Sequence, residues 1–120
     1  MKPRPLLLSY DGCGTCKKAR AWLDAREIAY DVRPIVTEPP TLAELAGWIS
    51  ASDEPLRKWL NTSGLSYRAK GGKAVFDVAS DAEITRWLSE DGKLVKRPVL
   101  IVDASRVLVG FAPQAWVDAF

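Results

Sequence analysis

The sequence predicts an α/β domain built as βαβ, a helical insertion and then ββα. Three observations carry that order. Leu6-Leu7-Leu8 is an apolar run bounded by Pro5 and Asp11-Gly12, followed by a helical pattern and by an alternating segment from Ile28 to Ile35. Val99-Leu100-Ile101-Val102 is a second continuous apolar run, and beyond the turn Asp103-Ala104-Ser105 the chain returns as Val107-Leu108-Val109, a hairpin partner. Between these halves, over about 37–92, stand three helix starts.

Taken in order, Leu6 to Leu8 reads as a buried strand. Cys16 to Glu27 has helical spacing, with Ala19, Trp22 and Leu23 on one stripe and Lys17, Lys18, Arg20 and Asp24 outside it. Ile28 to Ile35 alternates apolar and polar and is expected as the second strand. A strand, a crossover helix and a parallel strand form a right-handed unit whose chemistry belongs at the carboxyl end of the first strand. Thr41 followed by Glu44 is a capping box, opening a helix with Leu42, Leu45, Ala46 and Ile49 as its apolar face. Ser52 or Asp53 is expected to cap a short helix with Pro55 in its first turn and Leu56, Trp59 and Leu60 turned inward. From Leu65 to Ala79 the pattern is illegible: Gly71-Gly72 interrupts it, and Val75-Phe76 suits strand or helix. Ser80 or Asp81 caps the next helix, with Ile84, Trp87 and Leu88 on one side and Gly92 closing it. Pro113 opens a last helix with Trp116, Val117 and Phe120 facing the core. The five tryptophans, at 22, 48, 59, 87 and 116, all fall on expected helices and read as core or core-edge residues.

The chemistry points to Cys13 and Cys16, two residues apart where the first strand gives way to the helix. If the helix starts near Cys13, the two Cβ atoms stand one turn apart, within reach of a disulfide. The same start puts the Cys13 sulfur at the positive end of the helix, where free N–H groups favour a thiolate. Cys13 is therefore the candidate nucleophile and Cys16 its resolving partner. Zinc needs four ligands, and the chain has two cysteines and no histidine. Without histidine a Cys-His protease arrangement is also excluded. A structural disulfide closing so short a loop would constrain the unfolded chain little. Lys17 and Lys18 read as solvated charges, or more sharply as a source of positive potential beside Cys13.

The 120 residues, 48% of them hydrophobic, suffice for one core and are read as a single domain, 1–120. The apolar run after Met1-Lys2-Pro3-Arg4-Pro5 is too short for a leader or a membrane span, so a cytoplasmic chain with reduced thiols is expected. Seventeen basic against fifteen acidic residues give a net charge of +2, too balanced for direct binding to nucleic acid. A monomer without bound metal or cofactor is expected.

A βαβ unit with Cys-x-x-Cys after its first strand, then ββα with a proline opening the third strand, resembles the thioredoxin fold. Narrower features are similar to the arsenate reductase and Spx family: Cys13-Gly14-Thr15-Cys16-Lys17-Lys18-Ala19, Glu38-Pro39-Pro40-Thr41, Glu44-Leu45, Leu60 to Gly64 with Tyr67-Arg68, Lys96-Arg97-Pro98-Val99 and Val109-Gly110-Phe111. The resemblance implies a thiol-dependent oxidoreductase with glutathione as co-substrate and glutathione, glutaredoxin or thioredoxin as electron donor. Cys13 matches the family's catalytic cysteine and Arg97 one of its anion-holding arginines. The other two arginine positions correspond to Asn61 and Phe111, which carry no charge, so arsenate reduction is expected to be weak or absent. The resemblance also implies a cis Arg97–Pro98 bond, with Arg97 opposite Cys13. The rival reading rests on Cys16, which resembles the redox switch of Spx regulators that bind RNA polymerase. The turn Asp53-Glu54-Pro55 lacks the glycine that those regulators carry.

Overall fold

Four strands make one sheet: β1 (Leu6–Ser9), β2 (Asp31–Pro34), β3 (Val99–Asp103) and β4 (Arg106–Val109), in the order β2-β1-β3-β4. The computed structural model describes residues 4–120; Met1 to Pro3, part of the start from which no leader was expected, lie outside them. β1 runs parallel to β2, so a crossover is required, and α1 (Gly14–Ala25) supplies it. β3 is antiparallel to β1 and to β4. The strand order and the helices on both faces are those of a thioredoxin-like α/β fold.

Side chains that alternate along the central strands build two cores. Leu8, Val99, Ile101 and Val107 face the larger one, which contains Leu45, Trp59, Phe76, Ile84, Leu88 and Leu94 from the helical segment between β2 and β3. Leu7 and Leu100 face the other way and meet Ala19 and Leu23 of α1 and Trp116 of the closing helix. Both faces of the sheet are therefore covered, and runs such as Val99 to Ile101 can be apolar without interruption.

The helical segment comprises α2 (Leu42–Ala51), a 3₁₀ turn at Leu56–Trp59, α3 (Leu65–Ala69), α4 (Lys73–Phe76), α5 (Asp81–Glu90) and a second 3₁₀ turn at Gly92–Leu94. The expected capping box of Thr41 with Glu44 forms, and of the two expected caps for the later helix it is Ser80 that serves, in a second box with Glu83. Arg33 on β2 ties the loop before α2 in place, donating to the Glu38 and Pro39 carbonyls and to the Glu44 carboxylate at 2.7 Å. That guanidinium holds the Glu44 carboxyl below its usual range. The illegible stretch becomes α3 and α4, separated by Gly71 and Gly72 at φ +118° and +63°, which only glycine adopts readily. The last helix is α6 (Pro113–Val117), with Pro113 in its first turn as expected.

Several expectations change in detail. β2 is shorter than Ile28 to Ile35, because the Ile28 N–H closes the end of α1 on the Leu23 carbonyl at 3.1 Å, with Glu27 left-handed at φ +55°. Ser52 does not start the next helix. It ends α2, where its hydroxyl donates to the Ile49 carbonyl at 2.7 Å and accepts from the Trp59 indole at 3.2 Å. Asp53 makes no cap, and Pro55 precedes the 3₁₀ turn. The inner face of α2 is Leu45, Trp48 and Ile49, while Leu42 and Ala46 are exposed. Five-residue α6 buries only Trp116 fully, leaving Val117 and Phe120 half exposed. Gly92 does not close α5 through a left-handed turn; Asp91 ends the helix in an extended conformation.

Gly92 is required instead by packing, since a Cβ there would lie 1.9 Å from the Ile35 carbonyl oxygen. Backbone cannot yield as a side chain can, so Gly92→Ala is expected to cost about 3 kcal/mol or more. Urea unfolding of that variant measures it, and a cost within experimental error of zero would show that the segment is not docked this closely on the end of β2.

Candidate thiol site at the end of the first strand

The end of β1 delivers the chain into the turn Tyr10–Cys13, closed by the Cys13 N–H on the Tyr10 carbonyl at 3.0 Å. Cys13 is the N-cap of α1, as its spacing predicted, and its sulfur accepts the Cys16 N–H at 3.2 Å. A sulfur thus occupies the place that Ser or Asp oxygen usually takes at a helix start. Cys13 is partly exposed; Cys16, one turn later, is wholly buried, and both are free thiols. Burial pushes the Cys16 thiol up to about 11, and neighbouring Cys13 adds to the rise. The Tyr10 backbone and the Ser9 hydroxyl oppose it.

Arg97 lies where the resemblance implied. The Arg97–Pro98 bond is cis, and Arg97 lines the same cleft as Cys13. Its guanidinium carbon sits 4.9 Å from the centre of the Tyr10 ring, a cation–π contact. Gly12 lets that ring lie close to the loop, since a Cβ there would meet it at 2.9 Å. Arg97 Nη1 is buried and has no hydrogen-bond partner.

The cleft, ≈ 200 Å³, is walled by Cys13 and Thr15 on one side and by Asn61, Thr62, Ser63, Lys96 and Arg97 on the other. An adjoining groove shares Leu60, Thr62 and Lys96 with it and adds Arg57 and Lys58. No Asp or Glu lines either one. The far wall exists because the first 3₁₀ turn is laced to the segment leading into β3: Leu60 bridges Val95, the Asn61 N–H donates to the Leu94 carbonyl and the Lys96 N–H to the Trp59 carbonyl, both at 2.8 Å.

Of the residues singled out in the sequence, Cys13, Cys16, Arg97 and Asn61 come together. Phe111 does not line the cleft; it packs edge-on against Trp116 and Trp22, at 4.9 and 6.4 Å between ring centres. Lys17 and Lys18 are exposed and line neither cavity; the cations lining the cleft are Arg97 and Lys96, the second of which sequence reasoning passed over. Its position next to Arg97 was the available signal. Ser9, the polar residue ending the leucine run, was passed over too.

The ArsC family model matches residues 8–120. The chain belongs to the ArsC family. An ArsC-family related protein from Bacteroides fragilis superposes on this ArsC-family chain with a TM-score of 0.94 and 38% identity over the whole of both chains. A possible arsenate reductase from Streptococcus mutans UA159 gives 0.83 and 34% identity, over 94% of this chain and 97% of that one. The global transcriptional regulator Spx of Streptococcus agalactiae is 31% identical over 101 residues, 82% of this chain and 70% of the regulator.

Exposure and the raised Cys16 value set the order of reactivity. Iodoacetamide at neutral pH is expected to label Cys13 first, with Cys16 following only on unfolding or as the pH nears about 11. Peptide mapping of partially labelled protein reads this, and preferential labelling of Cys16 in the folded chain would reverse the roles of the pair.

Proposed function

We propose that the chain is a cytoplasmic thiol–disulfide oxidoreductase of the reductase-like branch of its family, with Cys13 as nucleophile and Cys16 as resolving thiol. The observation that carries this reading is the arrangement of the pair: the Cys13 sulfur faces a carboxylate-free cleft while accepting the Cys16 N–H, and Cys16 is sealed beneath it. That hydrogen bond fixes the Cys13 sulfur at the start of α1, facing the cleft. Cys13 thiolate attacks one sulfur of a disulfide substrate, and the other sulfur leaves as a thiolate that takes a proton from solvent. Cys16 then attacks Cys13, releasing the second thiol and leaving an internal disulfide that two electrons from glutathione, glutaredoxin or thioredoxin reduce again.

Arg97, which lines the cleft with Cys13, is assigned to the substrate's carboxylate. A tetrahedral oxyanion would find one arginine here, because Asn61 is neutral and Phe111 faces an aromatic cluster. Arsenate is therefore a poor substrate in this reading.

A second reading, a redox-sensing regulator that binds RNA polymerase, is favoured by the likeness to Spx. The turn that lacks the regulators' glycine still takes a left-handed φ of +56° at Asp53, the conformation glycine adopts most easily. Affinity capture separates the two. Cys16→Ser is expected to retain thiol partners as mixed disulfides on Cys13, released by dithiothreitol, whereas recovery of RNA polymerase subunits alike by wild type and by a Cys13→Ser variant would favour the regulator.

Arg97→Ala tests the carboxylate site. It is expected to raise KM for glutathione disulfide by about tenfold or more, the worth of one charge-assisted pair, with thermal stability nearly unchanged. Turnover of the uncharged bis(2-hydroxyethyl) disulfide should be unaffected. An equal loss on both substrates would remove Arg97 from substrate recognition.

A further inference from the structure

Among the described residues, two buried side-chain polar atoms lack a hydrogen-bond partner, and both stand at this site: Arg97 Nη1 and Ser9 Oγ. Buried donors are nearly always satisfied, so two exceptions at one reacting centre call for an explanation there. Arg97 at least lines the cleft, where the proposed substrate carboxylate would lie. Ser9 does not: it is 2% exposed, and no substrate in the cleft reaches it. Its position is set by the pleat of β1, on which it shares the α1 face with Leu7, two residues earlier, while Leu8 points to the opposite core. Wholly buried Cys16 is in the first turn of that same helix. The Ser9 carbonyl is occupied by the Ile35 N–H at 3.0 Å, which leaves the hydroxyl as the group in search of a partner.

We infer that Ser9 serves the resolving half of the proposed dithiol cycle, its hydroxyl donating to the Cys16 sulfur as that sulfur becomes a thiolate. The inference rests on the two-thiol reading above. In that step Cys16 gives its proton up to solvent and the Cys16 sulfur attacks Cys13 Sγ. The Cys13–Cys16 bond forms, the bond from Cys13 to the substrate sulfur breaks, and the departing sulfur takes the electron pair and a proton from solvent. A donor orphaned beside the thiol and paired with the thiolate favours the reactive state over the resting one, which is how a contact accelerates a step. The Cys16 sulfur is faced by Cys13 from its own helix and by the Ser9 hydroxyl and Tyr10 backbone from the end of β1; of these, Cys13 is the titratable group. The hydroxyl acts against the rise that burial imposes on Cys16.

The aryl disulfide DTNB separates the two half-reactions, since attack by Cys13 releases one coloured thiolate and resolution by Cys16 a second. Ser9→Ala should leave the first phase unchanged and slow the second by about ten- to a hundredfold, the range of one hydrogen bond to a charged group, with its pH profile moved to higher pH. Ser9→Thr, which keeps the hydroxyl, should restore the second phase. Thermal stability of Ser9→Ala should equal or exceed that of wild type, because an unsatisfied donor has been removed. An unchanged second phase in Ser9→Ala overturns the inference, as does equal slowing in Ser9→Thr accompanied by a fall in melting temperature, which would make Ser9 a packing residue. Release of a single equivalent by wild type, with no second phase, would instead sink the two-thiol reading, and the role of Ser9 with it.

Discussion

β1 is enclosed on all sides, between β2 and β3 in the sheet and between two cores above and below it. Leu7 and Leu8 have no exposed surface, and each is held against a different layer. Burying both contributes on the order of 4 kcal/mol, and the strand has no freedom to slip, because a one-residue shift would exchange its two faces. Everything chemical hangs from its last residue. A fixed strand end presents the turn Tyr10–Cys13 at one place, and α1 must then start over the carboxyl edge of the sheet, with its free N–H groups beside the thiols.

The opposite wall comes from residues distant in sequence, and its construction depends on the helical segment between β2 and β3. That segment has little regular structure near the cleft: a 3₁₀ turn, a bridge and two short helices. Its rigidity derives from burial of Trp59, Phe76 and Leu94 and from the backbone bonds that join Trp59 and Asn61 to residues 94 and 96. The stack of Tyr67 on Phe76, with ring centres 4.7 Å apart, holds the short helices together. Asn61, Thr62, Lys96 and Arg97 therefore face Cys13 on a frame whose order comes from side-chain packing rather than from long helices.

Electrostatically the site is one-sided. Arg97 and Lys96 face the thiol, carboxylates are missing from the lining, and Arg97 is stacked on Tyr10 instead of neutralised by an ion pair. Burial keeps Cys16 protonated at rest while Cys13 is partly exposed, so the pair is asymmetric. Position 111, by contrast, is spent on packing: its ring joins Trp22 and Trp116 beneath α1, where a charge would be stranded in an apolar cluster.

Much of this was legible in the residues, because local signals sufficed for it. Strand runs, the capping box at Thr41, a cap at Ser80, the glycine break at 71–72 and the start of α1 at Cys13 each depend on a few neighbouring residues, and each formed. Arg97 and its cis bond came from resemblance and could not have come from spacing. What failed depended on contacts across the chain: Ser52 was taken from its capping role by the Trp59 indole, Gly92 is present for the Ile35 carbonyl, and Leu42 and Phe120 stay at the surface while Leu45 and Trp116 on the same helices or their ends are buried. The sequence by itself determined that two cysteines stand one helical turn apart at the end of a buried strand, since the strand run and the helix start each depend on a few neighbouring residues. Only the tertiary structure decided which residues attend them, because Lys96, Asn61 and Ser9 reach the site through a bridge, a loop and a pleat whose partners lie up to a whole chain half away.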